Sequence, residues 1–199
     1  MFKSILVLES IWDSTTVKSK SVWPFVSEFA NVNGINAYHQ VFTDKDSFCH
    51  WIKLFDKERA TKPKLLYIAT HGNIARISGL NHEINFNTIL SEIRKTKTIQ
   101  YVHFGTCYIG NPENLKLLLE KSKKVTMVSG YNKEVDWIDS TLFDIMLWGR
   151  IISRENNDKG KKSHSVVKDF VSEEVLGLAD NLGFQFAYRY GDRIFEGNE

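Results

Sequence analysis

Apolar and polar positions along the chain fall into blocks of two different periods, and the two kinds of block alternate. Residues 4–9 (Ser-Ile-Leu-Val-Leu-Glu) form an apolar run closed by an acid, which predicts a first strand buried on both faces. From Ser21 to Asn33, Val22, Phe25, Val26 and Phe29 recur at helical spacing, with Pro24 in the first turn and Gly34 as the stop. Ala37 to Phe42 predicts a second strand. Asp44 or Asp46 then caps a helix running to Arg59, with Phe48, Trp51, Ile52 and Phe55 as its apolar stripe. Pro63 introduces a strand that ends at His71. Gly, Asn and short apolar pairs between His71 and Asn85 predict a small hairpin or an irregular loop. A helix follows from Asn87 to Lys97 and a strand from Ile99 to Gly105. Asn111-Pro112-Glu113 has the order of a helix start (cap, proline, acid), and that helix runs to Lys121. Lys124 to Ser129 is another buried strand and Asp139 to Ser153 another helix. Beyond the polar loop Arg154 to Lys162, the pattern predicts a helix over Ser165–Asn181 and a final strand over Gln185–Tyr190.

Strand and helix in alternation argue for an α/β fold. The expected architecture is a three-layer sandwich, a mostly parallel sheet of about six strands with helices on both faces. Connections through helices should be right-handed. No repeat, low-complexity tract or linker divides the chain, so residues 1–199 are read as a single domain, a size that suits one sizeable core.

Composition narrows the function. Apolar residues make up 42% and charged residues 25%, and the net charge of +2 comes from interspersed signs, so neither a nucleic-acid footprint nor a disordered chain is indicated. The basic run Lys159-Gly160-Lys161-Lys162 reads as a solvated loop. No apolar segment approaches the roughly 20 residues of a membrane helix. The opening run Ile5-Leu6-Val7-Leu8, cut off by Glu9, suits a buried strand better than an export signal. Cys49 and Cys107 are too few for a disulfide framework, and a reactive thiol survives best in a reducing compartment, so a cytoplasmic location is expected.

The chemistry gathers at the ends of two strands. Leu65-Leu66-Tyr67-Ile68-Ala69-Thr70-His71-Gly72 and Gln100-Tyr101-Val102-His103-Phe104-Gly105-Thr106-Cys107 are β-prone runs that end on a base and a nucleophile. Neighbouring parallel strands lie roughly 5 Å apart, so a thiol and an imidazole at their tips can converge on one substrate. A cysteine needs such a base, because the thiolate is the nucleophile and a free thiol with a pKa of about 8.5 is mostly protonated at neutral pH. Each residue alone has an ordinary structural reading, Cys107 as a small hydrophobe and His71 as a satisfied polar group. The matched pair favours a dyad.

These two blocks resemble the signature of the caspase-like cysteine peptidases, which include caspases, metacaspases, gingipains, separases and bacterial CHAT peptidases. Val128-Ser129-Gly130-Tyr131, Val135-Asp136, Ser140 and Phe143 resemble the segment after the catalytic cysteine in CHAT domains. The likeness covers residues 64–150. It departs from many relatives at Gly105-Thr106, where they carry an acid or Gln followed by a small residue. The resemblance implies a cysteine endopeptidase with His71 and Cys107 as catalytic residues, a protein substrate, and no third carboxylate or cofactor. Backbone N–H groups of Gly72 and Cys107 are the natural oxyanion donors. Asp136, placed where relatives build their specificity pocket, is the candidate partner of a substrate Lys or Arg, with Tyr131 and Trp137 as candidate lining. Relatives also imply an activating sensor protein within a bacterial defence or cell-death module, and self-cleavage in a loop such as Arg154–Lys162. Two other classes remain open: a caspase-like scaffold without hydrolysis that binds or signals, and a flavodoxin-like domain holding a small ligand.

Competing motifs are weaker. His103 lies four residues before Cys107, about 14 Å away along the same strand, and reads as structural. Asp136 also reads as a helix cap or a solvated acid. Cys49-His50 and His82 lack a second ligand pair at zinc spacing, so no metal is expected. Gly105 and Gly110 fit no nucleotide-binding loop, and no serine sits in a nucleophile elbow.

Overall fold

The computed structural model describes residues 2–12, 20–58, 63–157 and 162–197, with side chains described to Ser153 in the third segment. The first half contains β1 (Ser4–Glu9), α1 (Trp23–Val32), β2 (Asn36–Val41), α2 (Lys45–Lys57), β3 (Lys64–Ala69), the short pair β4 (Arg76–Ser78) and β5 (Glu83–Asn85), and α3 (Phe86–Ile93). The second half contains β6 (Ile99–Gly105), α4 (Pro112–Lys121), β7 (Met127–Tyr131), α5 (Trp137–Asn157), α6 (Ser163–Asp169), a π-helical turn (Phe170–Glu174), α7 (Leu176–Leu182), β8 (Phe184–Tyr190) and β9 (Arg193–Glu196). Seven strands form one sheet in the order β2-β1-β3-β6-β7-β8-β9, parallel from β2 to β7 and antiparallel for the last two pairings. This is the expected α/β sandwich, with one more strand than the sequence predicts.

Alternation along the central strands sorts the core into two halves. In β1, Ile5 and Val7 face one layer while Leu6 and Leu8 face the other; in β3, Leu65, Tyr67 and Ala69 oppose Leu66 and Ile68. The first layer is closed by α1, α5, α6 and α7 through Val26, Phe143, Trp148, Val167 and Leu182. The second is closed by α2, α3 and α4 through Phe48, Ile52, Ile89, Leu115 and Leu118. Burial on both faces is why β1 and β3 read as continuous apolar runs.

Local signals set the helix starts. Asp44, not Asp46, is the cap of α2, in a reciprocal box with Ser47. Asn111 accepts from the Asn114 N–H ahead of Pro112, as its position suggests. The helix expected over Ser165–Asn181 is divided by the π-helical turn, although no proline marks the break. The loop expected from Arg154 begins later, because α5 continues to Asn157; residues 158–161 of that proposed cleavage segment lie outside the described residues. Among the described residues no helix is long and apolar enough to cross a membrane.

A buried polar knot ties β3, β6 and β7 to α5. The Asp144 carboxylate, fully buried on α5, accepts from the Tyr67 hydroxyl at 2.9 Å and from the Tyr131 hydroxyl. His103 Nδ1 lies 2.7 Å from Ser129 Oγ, and its Nε2 lies 2.8 Å from Asp144 Oδ1, off the line of a well-formed hydrogen bond. Burial, followed by the Asp144 charge, holds both tyrosine hydroxyls well above their ordinary pKa, so they remain donors. Removing the carboxylate takes the acceptor of the Tyr67 hydroxyl from the core and leaves the Tyr131 hydroxyl only the Ser140 carbonyl, 3.1 Å away. Asp144→Ala is therefore expected to cost about 3 kcal/mol or more, and Asp144→Asn less, since one acceptor oxygen remains. Urea unfolding measures both; a loss below about 1 kcal/mol for Asp144→Ala would mean that the knot contributes little.

Candidate functional site

The site is built from the carboxyl-terminal ends of adjacent strands. β1, β3 and β6 are neighbours, and their register sets Glu9 opposite Ala69 and Ala69 opposite Gly105. Two residues further, β3 delivers His71 and β6 delivers Cys107. Tyr67 and Ala69 face the α5 side of the sheet, as does Tyr101. Side chains repeat every second residue, so His71 and Cys107 continue on that same side. Both line one cavity of about 350 Å³, together with Trp12, Thr70, Asp136 and Trp137. Open sheets of this kind hold ligands outside the carboxyl ends of their strands.

His71 is exposed at the cavity rim and held from one side. Its Nε2 lies 2.8 Å from the Trp12 carbonyl oxygen, and the Trp12 indole packs edge-on to the imidazole at 5.2 Å. A carbonyl only accepts, so Nε2 carries the hydrogen and Nδ1 is the basic nitrogen of the neutral ring. Trp12 is itself held by Glu9, whose carboxylate accepts from the Trp12 indole N–H at 3.1 Å, the Ser21 hydroxyl at 2.6 Å and the Val22 N–H at 2.8 Å. His39 Nε2 lies 2.8 Å from the same carboxylate and stacks on Trp23. Burial alone would raise the Glu9 pKa, but the hydrogen bonds from His39, Ser21, Val22 and Trp12 outweigh it and hold the group below the ordinary carboxylate value.

Cys107 is half-buried, with Sγ 4.0 Å from the Val135 carbonyl oxygen. The turn after it is held tightly. Tyr108 adopts φ +64°, a left-handed conformation that costs a non-glycine residue about 1–2 kcal/mol. The Tyr108 N–H donates to the Lys133 carbonyl, and Gly110 packs so closely that a Cβ there would stand 2.3 Å from the Tyr131 nitrogen. Backbone strain of this sort concentrates at functional sites. Glycine is also required beside His71: a Cβ on Gly72 would meet Thr106 Cγ2 at 2.4 Å and the Arg76 carbonyl at 3.0 Å. The Asn73 N–H donates to the Arg76 carbonyl and the Ser78 N–H to the His71 carbonyl, so the N–H of Gly72 points away from this hairpin.

The other expected residues divide. Asp136 lines the cavity and also caps α5, accepting from the N–H groups of Ile138 and Asp139 through Oδ1. Tyr131 does not reach the cavity. β7 runs on to Tyr131, two residues beyond the predicted strand end, and carries its ring into the core against Phe143 and Phe184. His103 is structural, within the Asp144 knot. Among the described residues no group of three or more His, Cys, Asp or Glu side chains could hold a metal. Sequence reasoning missed Trp12, Glu134 and Glu9. An acid closing a strand otherwise buried on both faces was the available signal for Glu9.

No protein-family model matches the sequence, and neither does any curated protein. Solved structures do match. Caspase-1 from Spodoptera frugiperda aligns at a TM-score of 0.53 and 9% identity, over 87% of this chain and 78% of that one. A secreted C11 cysteine protease from Bacteroides thetaiotaomicron, solved with an irreversible peptide inhibitor, aligns at 0.55 and 9% identity, over 94% of this chain and 66% of that one. The chain therefore has the fold of caspase-like cysteine peptidases.

The Glu9 network makes a pH prediction. A carboxyl whose folded pKa is depressed contributes stability that is present above the unfolded value, about 4.5, and is lost as pH falls through the lower folded value. Glu9→Gln is expected to be less stable at neutral pH and to lose less of its remaining stability on acidification below about pH 4.5. Urea unfolding of both proteins across that range checks this. Parallel profiles would contradict the assignment of this carboxylate.

Proposed function

We propose that the protein is a cysteine endopeptidase that works through a His71–Cys107 dyad. The observation that carries this reading is the meeting of the two side chains in one cavity at the tips of adjacent parallel strands, with His71 Nε2 tied to the Trp12 carbonyl. Nδ1 of His71 takes the Cys107 proton as sulfur adds to the scissile carbonyl carbon, and the carbonyl electron pair moves onto oxygen. The N–H groups of Gly72 and Cys107 are the candidate donors to that oxyanion, each worth about 3 kcal/mol of transition-state stabilisation. Collapse breaks the C–N bond as His71 gives its proton to the leaving amine. Water then adds to the thioester, with Nδ1 accepting its proton, and release of the acid restores the thiol.

The cavity also suggests a substrate class. Asp136 and Glu134 line it beside Trp137, and Lys20 lines it too, so two carboxylates face one lysine in a partly apolar pocket that suits a substrate Lys or Arg side chain. Asp136 has one carboxylate oxygen committed to capping α5. Asparagine caps helices as well as aspartate does, so Asp136→Asn removes the charge and leaves the helix start intact. Within the superfamily we place the chain nearest the bacterial CHAT peptidases, acting beside a sensor protein in a defence or cell-death module. The support for that placement is the pattern Val128–Tyr131, Val135-Asp136, Ser140 and Phe143, and the sensor and the module follow from the resemblance alone.

A peptide library incubated with the purified protein tests the reading. Cleavage after Lys or Arg is expected, with Cys107→Ala inactive and His71→Ala reduced at least about 100-fold. Asp136→Asn should lower kcat/KM for basic peptides by about tenfold, equivalent to about 1.4 kcal/mol. Cleavage unaffected by either dyad substitution would remove the peptidase reading. Cleavage with no preference for basic residues would remove Asp136 and Glu134 as specificity groups while leaving the dyad standing.

A further inference from the structure

The turn that follows Cys107 is strained around a residue whose side chain the core does not use. The Ile109 N–H donates back to the Cys107 carbonyl, two residues away, at 2.8 Å, with Tyr108 between them at φ +64°. This is a γ-turn with positive φ at its centre, a rare and strained form. Glycine adopts that φ without penalty, so the turn itself does not call for a ring. Packing does not call for one either. Tyr108 is 37% exposed and belongs to neither half of the core, and among the described residues its ring joins no aromatic pair.

A second exposed apolar side chain is held beside this turn. Ile74, 62% exposed, sits in the hairpin segment that leaves His71. Asn114 Nδ2 donates to the Ile74 carbonyl at 2.8 Å and to the Ile109 carbonyl at 3.0 Å. Two carbonyl oxygens that share one donor atom stand no more than about 6 Å apart, so Ile74 and the turn are neighbours. The same segment reaches the nucleophile, since a Cβ on Gly72 would stand 3.5 Å from the Cys107 carbonyl oxygen. Neither Ile74 nor Tyr108 lines the cavity that holds Asp136 and Glu134. Cys107 is therefore bordered by an acidic cavity and, outside it, by an exposed apolar pair.

We propose that Ile74 and Tyr108 form the subsite for the residue that follows the scissile bond, and that this subsite takes an apolar or aromatic side chain. The proposal rests on the peptidase reading. A basic side chain in the acidic cavity leaves the other half of the substrate outside it. His71 hands its proton to the leaving amine, so the leaving half lies at His71, where the segment carrying Ile74 begins. An apolar side chain laid between Ile74 and the Tyr108 ring removes all three from water.

Peptides that fix Lys or Arg before the scissile bond and vary the residue after it test the subsite. The parent is expected to show kcat/KM at least about tenfold higher with Leu or Phe after the bond than with Gly or Asp. In Tyr108→Gly and in Ile74→Ser that ratio should fall at least about threefold, while the preference for Lys or Arg before the bond stays. Urea unfolding separates lost recognition from lost folding: the midpoint of Tyr108→Gly should lie at or above the parent's, because strain goes with the ring. Ile74→Ser, at an exposed position, tests the subsite without touching the turn. A parent with no preference after the bond, or a ratio that both variants leave unchanged, overturns the subsite and leaves the dyad standing. A change confined to residues before the bond overturns it too. Absence of any cleavage that depends on Cys107 overturns the peptidase reading, and the subsite falls with it.

Discussion

The pairing of β3 with β6 is the constraint on which the rest of the site depends. Parallel hydrogen bonding aligns Leu65 with Tyr101 and Ala69 with Gly105, so the two strands end level. Side chains alternate with period two, and a slip of one residue on either strand would turn His71 or Cys107 onto the opposite face of the sheet. The pairing is pinned from both layers, because β3 is buried along its whole length and β6 nearly so. Gly105 tightens it further. A Cβ there would stand 2.5 Å from the Tyr67 ring, so glycine is what lets that ring lie under the end of β6.

Two buried carboxylates then hold the surroundings of this pair. Asp144 on α5 gathers Tyr67, Tyr131 and His103 beneath the cavity floor and fixes how α5 lies on the sheet. Glu9 at the end of β1 gathers Trp12, Ser21, Val22 and His39 beside it, and through Trp12 sets the orientation of His71. Each carboxylate is surrounded by donors, the condition under which a buried charge is tolerated. Loops carry function most effectively when a rigid scaffold places them, and these two clusters make the scaffold rigid at the strand ends.

Much of this was legible in the chain. The runs ending at His71 and Cys107 announce themselves because a strand buried on both faces must be apolar throughout. Asp44, Pro112 and Gly34 announce helix ends through local chemistry. Periodicity carries no strand direction, so the antiparallel β8 was hidden. β9 was missed because four residues are too few to show a period, although Gly191-Asp192, with Gly191 at φ +60°, is a hairpin signal. Tyr131 was expected at the site because the strand was ended at Ser129; two more paired residues carry it into the core. Asp144 reads locally as a polar position on a helix, and only the tertiary meeting of β3, β6 and β7 reveals its partners. Yet an acid flanked by Phe143 and Leu147 on an apolar face was a local conflict, and such conflicts mark positions where tertiary structure demands something particular.

The central claim is that His71 activates Cys107, and thiol-directed covalent labelling tests it most directly. Cys49 is buried on α2 and Cys107 is half-buried, so preferential labelling of Cys107 alone would reflect accessibility. Dependence on His71 is what discriminates. The account predicts that the rate of Cys107 alkylation at neutral pH, located by mass spectrometry, falls at least about tenfold in His71→Ala, while unfolded samples of both proteins label alike. An equal rate of Cys107 labelling in the folded parent and folded His71→Ala would contradict it, leaving a caspase-like scaffold whose cysteine is not activated by its neighbour.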